Sequence, residues 1–147
     1  MRLKDFHDKG IALKFLAPQY VVVKNCFVSG QPELDIVGVE NMIIADSLLK
    51  KEQDYQSKLI EHLSGINWLF LAPEIFTDEQ YDNMSADIWS VGMIIYCLMT
   101  GGIKVERRGN YHEMRDFREE IWYTCDRNAR DFVTMMVNRN HEERPTV

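Results

Sequence analysis

Ser85-Ala86-Asp87-Ile88-Trp89-Ser90-Val91-Gly92-Met93-Ile94-Ile95-Tyr96-Cys97-Leu98-Met99-Thr100 is the stretch that decides the fold. From Ile88 to Met99 it is apolar nearly all round, and a helix with no polar face is a buried one. Ser85 reads as its N-cap, since a serine hydroxyl accepts from the first free N–H groups of a helix. Gly101-Gly102 reads as its stop, because glycine enters the left-handed conformation that ends a helix. The apolar run is shorter than the roughly 20 residues needed to span a bilayer. This helix is expected at the centre of the fold.

Working outward, Tyr111 to Tyr123 and Arg127 to Val137 read as amphipathic helices, and Asn138 to Pro145 as a polar terminal loop. Upstream, Asp46 or Ser47 can cap a helix in which Leu48, Leu49, Gln56, Leu59, Ile60 and Leu63 recur at mostly helical spacing, with Gly65 at its end. Earlier still, Val21-Val22-Val23 is β-branched and continuous and reads as a short strand. Ser29-Gly30-Gln31-Pro32 marks a turn, and Glu33 to Val39 is expected to return as the second strand of a hairpin. Leu3 to Lys9 reads as the end of a helix. The sum is a mainly α chain with a small β-hairpin near its N-terminus.

Composition narrows the function classes. The chain has 147 residues, enough for one ordinary domain, with 46% hydrophobic and 11% aromatic residues to fill a core. A net charge of −6 argues against nucleic acid or an acidic membrane as the main partner. The N-terminus lacks the apolar core of a signal peptide. Cys26, Cys97 and Cys125 are odd in number and share no close spacing, so three reduced thiols in a cytoplasmic protein are expected. His7, His62, His112 and His141 form no ligand spacing and are expected at the surface. No Gly-x-Ser-x-Gly elbow occurs.

Three short motifs follow one another: Ala72-Pro73-Glu74, Asp87-Ile88-Trp89-Ser90-Val91-Gly92 and Arg144-Pro145-Thr146. With the buried helix growing out of the second, they resemble the activation-segment end, central helix and late Arg-Pro loop of protein kinases, in their serine/threonine branch. The resemblance implies the larger, helical C-terminal lobe of the α+β kinase fold across residues 1–147, with the N-terminal lobe absent. It implies that Glu74 and Arg144 form a buried ion pair tying the activation segment to the late helices. It also implies that Asp87 accepts backbone N–H groups from the catalytic loop, beside complementing the helix dipole. Ala72, Pro73, Trp89 and Gly92 complete the structural set.

The same resemblance locates the reactive positions. Lys9-Gly10-Ile11-Ala12-Leu13-Lys14-Phe15-Leu16-Ala17-Pro18-Gln19-Tyr20-Val21 is similar to the catalytic loop, whose pattern is His-Arg-Asp-Leu-x-x-x-x-Asn. Here the histidine is Leu13, the arginine Lys14, the catalytic aspartate Phe15, the lysine Ala17 and the magnesium-binding asparagine Tyr20. Leu34-Asp35-Ile36-Val37-Gly38 resembles the strand and turn that carry Asp-Phe-Gly. Aligned on Gly38, it has Ile36 for the metal-binding aspartate and Val37 for the phenylalanine. Asp35 is the alternative metal ligand, but a one-residue shift in a strand sends a side chain to the other face, so the turn would have to be rebuilt. A phenyl ring has no lone pair for a substrate proton, and magnesium wants oxygen ligands. Leu13 and Val37, where the family stacks its hydrophobic spine, stay apolar.

The resemblance therefore implies an inactive protein-kinase-like lobe that works as a scaffold for a protein partner, or associates with itself through uncovered apolar surface. Neither ATP nor magnesium, the family's cofactors, is expected to bind. The alternatives are a fragment of a longer serine/threonine kinase domain, truncated at both ends, and an active but divergent kinase using Asp35. Ser47, Tyr55, Ser57 and Ser64 fall in the segment that resembles the activation segment, and are expected to be ordinary polar residues.

Overall fold

The computed structural model describes residues 3–24, 33–39, 42, 69–77, 81–102 and 119–147. The expected helix from Asp46 to Leu63, the turn Ser29–Pro32, Cys26, His62, His112 and most of Tyr111 to Tyr123 lie outside the described residues. What is described is mainly helical, with one two-stranded antiparallel sheet near the N-terminus.

The strands are β1 (Val21–Lys24) and β2 (Glu33–Ile36), paired Val21↔Ile36, Val22↔Asp35, Val23↔Leu34 and Lys24↔Glu33. Opposite residues share a face, so Val21, Val23, Leu34 and Ile36 lie on one side and Val22, Lys24 and Asp35 on the other. The second strand stops at Ile36 rather than at Val39. Gly38 has φ 69°, and a left-handed residue cannot continue the pleat. The Val37 amide still donates to the Tyr20 carbonyl at 2.9 Å, which ties the start of the hairpin to its end.

Five helices are described: α1 (Leu3–His7), α2 (Glu74–Thr77), α3 (Asn83–Thr100), α4 (Glu119–Thr124) and α5 (Arg127–Met136). The central stretch of the sequence is α3, and most of it is buried. Its cap is Asp82, not Ser85. Asp82 has the extended backbone that a cap requires, with φ −73° and ψ 110°, and its carboxylate accepts from the Met84 amide at 3.0 Å. Ser85 is buried inside the first turns, where its hydroxyl donates to the His141 carbonyl at 2.6 Å. Both residue types cap well, and backbone conformation decides between them. At the other end, Gly101 has φ 73°, and its amide and that of Gly102 both donate to the Cys97 carbonyl.

The core gathers around α3. Phe6 from α1, Leu13 and Leu16 from the loop after it, Leu69 to Leu71, Ile75 from α2, and Trp122 and Val133 from α4 and α5 all join Met93 and Tyr96. The rings of Tyr96 and Trp122 stand 5.2 Å apart and tilted by 55°. Helix α5 is capped by Asp126, which accepts from the Ala129 amide at 3.0 Å, and it buries Val133 and Met136. A Cβ on Gly92 would lie 2.8 Å from Val137 Cγ1 and 2.9 Å from Met136 Cβ, so only glycine allows this approach of α3 to the end of α5. Leu98 departs from the all-buried expectation, being 79% exposed, with Val91 and Ile95 half-buried along the same stripe. No described helix is long and apolar enough to cross a membrane.

Candidate functional site

The site is built on the loop between α1 and β1. After α1 the chain turns through Gly10, whose φ is 74°, with the Ile11 amide donating back to the Phe6 carbonyl at 3.0 Å. Lys14 then adopts φ 63°, a conformation uncommon outside glycine. The Phe15 amide donates to the Leu13 carbonyl at 2.8 Å, so residues 13–15 form a γ-turn with Lys14 at its centre.

An arrangement this rare needs an external hold, and Asp87 supplies it. Its carboxylate is fully buried and accepts the Leu13 amide at 2.7 Å and the Lys14 amide at 2.6 Å. A third partner arrives from α1: His7 Nε2 lies 2.9 Å from Asp87 Oδ2, with the nitrogen donating because a carboxylate only accepts. The His7 side chain is 8% exposed. The expectation of a surface histidine fails here, and burial beside Asp87 is the reason. His141 is half-buried, and its Nδ1 is enclosed without a hydrogen-bond partner. The chemistry of Asp87 signalled that a further donor was needed, though not that it would be His7. A carboxylate with two oxygens has more acceptor capacity than two amides fill, so a buried one calls for a further donor.

The chain then enters the core. Phe15 is 6% exposed, and Leu13, Leu16 and Ala17 are buried beside it. Lys14 is buried as well. Tyr20 ends a turn of 3-10 helix, Pro18–Tyr20, and packs half-buried against the core. Ile36 does the same from β2, whereas Val37 is exposed and Gly38 half-buried. Thus Leu13 and Val37 part company, one inside and one outside. Asp35 sits on the opposite face of β2 from Ile36. There its carboxylate takes the Lys24 ammonium across the hairpin and its own neighbour's amide, Ile36 N, at 3.0 Å. Among the described residues no group of three or more His, Cys, Asp or Glu is placed to hold a metal ion.

The second half of the site lies at the other side of α3. Ala72 is fully buried, its carbonyl accepts from the Ile75 amide at 3.1 Å, and Pro73 leads into α2. Glu74 and Arg144, both buried, meet in a two-pronged pair: Nη1 to Oε1 at 2.5 Å and Nη2 to Oε2 at 2.9 Å. Arg144 also donates to the carbonyls of Ser85 at 3.0 Å and Asn138 at 2.8 Å, and its guanidinium stacks 5.0 Å over the Trp89 ring. Ser90 donates to the Phe70 carbonyl at 2.8 Å, tying the segment before Ala72 to α3. The carboxylate, the arginine and the stacked indole bind α2, α3 and the C-terminal loop into one unit.

The chain resembles known proteins along almost its entire length. The protein kinase domain model matches residues 40–147, a span that begins just past Gly38. Calcium-dependent protein kinase 27 of Arabidopsis thaliana is 30% identical over 140 residues, covering 84% of this chain and 28% of the relative. The serine/threonine-protein kinase unc-51 of Caenorhabditis elegans is 30% identical over 148 residues, covering 97% of this chain and 17% of the relative. CBL-interacting protein kinase 20 of Oryza sativa subsp. japonica is 32% identical over 147 residues, covering 96% and 29%. The chain spans less than a third of the length of each of these relatives. By this match over most of its residues, the chain belongs to the protein kinase domain family.

Proposed function

We propose that this chain is a catalytically inactive kinase-like lobe that acts by holding a protein partner, not by transferring phosphate. One observation carries the reading. The side chain at the position matching the catalytic aspartate is Phe15, an apolar ring buried in the core. Phosphoryl transfer in this family needs a carboxylate there, orienting the substrate hydroxyl or accepting its proton. The metal positions support the same reading. Tyr20 and Ile36 pack against the core, and neither brings the carboxylate or amide oxygen that magnesium prefers. Asp35, the alternative ligand, has its carboxylate occupied by Lys24 and the Ile36 amide. The residues at these positions do not offer the set of oxygen ligands that the family's magnesium takes.

What remains is a framework with its internal bonds in place and an apolar stripe on α3 at Val91, Ile95 and Leu98. Leu98 is exposed there beside the half-buried Val91 and Ile95, which favours a protein contact, with a partner or a second copy. We place the lobe in the cytoplasm on the strength of its unpatterned cysteines.

Thermal melting with ATP, with and without magnesium, tests the proposal. No magnesium-dependent rise is expected, because a ligand stabilises only the state that binds it. A clear rise, or radiolabelled phosphate reaching a peptide and lost on Asp35→Ala, overturns it. A second reading, a piece of a longer serine/threonine kinase domain, is favoured by the small share of each relative that the chain covers. Coding sequence upstream of Met1 distinguishes the two: a glycine-rich loop and a strand lysine there support the fragment.

A further inference from the structure

No further inference is drawn: the strongest candidate, the apolar stripe of Val91, Ile95 and Leu98 along the central helix α3, carries nothing because nothing in the structure shows what covers it.

Discussion

Residues 13–20 and the Glu74–Arg144 junction both pack on α3, yet they are held in different ways, one through its backbone and the other through its side chains. At the junction two charged side chains are buried and held by two prongs between them, two carbonyls and an indole face. In the loop Leu13, Phe15 and Ala17 have joined the core, and the one charged side chain among residues 13–17, Lys14, is buried as well. The backbone of that loop is nevertheless held as carefully as the junction, by the fully buried Asp87. The backbone of the loop is therefore fixed independently of its apolar side chains. Asp87 of α3 holds the turn at residues 13–15 and the Val37 amide holds Tyr20, and neither contact involves the side chain of Leu13, Phe15 or Ala17.

Substitution can break that comparison, beginning with the largest expected effect. Introducing an acid with Phe15→Asp removes a buried ring, which alone costs about 3–5 kcal/mol, and adds a carboxyl to an apolar pocket. The variant is expected to unfold at much lower denaturant without gaining phosphoryl transfer. A variant as stable as the parent in urea titration would show that position 15 faces water. Arg144→Met leaves the Glu74 carboxylate buried and unpaired, a loss of about 3–5 kcal/mol. Adding Glu74→Leu to it should return most of that loss, since an apolar pair of similar size is often neutral. Should the double variant be as unstable as the single one, the remaining contacts of Arg144, to Ser85, Asn138 and Trp89, matter more than the pair.

Smaller effects sharpen the picture of α3. Gly92→Ala puts a methyl group against Val137 and Met136 at under 3.0 Å, and overpacking of this kind costs about 1–3 kcal/mol. Thermal melting of the variant checks it, and no change would mean that α5 yields freely. Asp82→Ala removes the N-cap and is expected to cost about 1 kcal/mol. The comparison with Ser85→Ala is informative, because that change should act through the lost bond to the His141 carbonyl and leave the helix start intact. Amide exchange at Met84 separates the two, with faster exchange expected only in the Asp82 variant.

The central helix, its glycine stop, the hairpin and the kinase resemblance were all legible in the residues, because each rests on local pattern: an all-apolar run, a glycine pair, a β-branched triplet. The apolar character of Leu13, Phe15, Leu16 and Ala17, all buried in the fold, was plain from their identities too. The position of the cap was not, since Asp82 and Ser85 are equally good caps by type and only the backbone angles choose. Nor was the burial of His7, which meets Asp87 across 80 residues of chain. Exposure at Val37 and Leu98 also escaped the pattern, for an apolar side chain announces a preference for burial but not whether a neighbour arrives to bury it. Sequence determined which residue types were available to the fold. Tertiary structure decided which donors met the Asp87 carboxylate, because hydrogen bonding depends on distances of about 3 Å that no spacing in one dimension specifies.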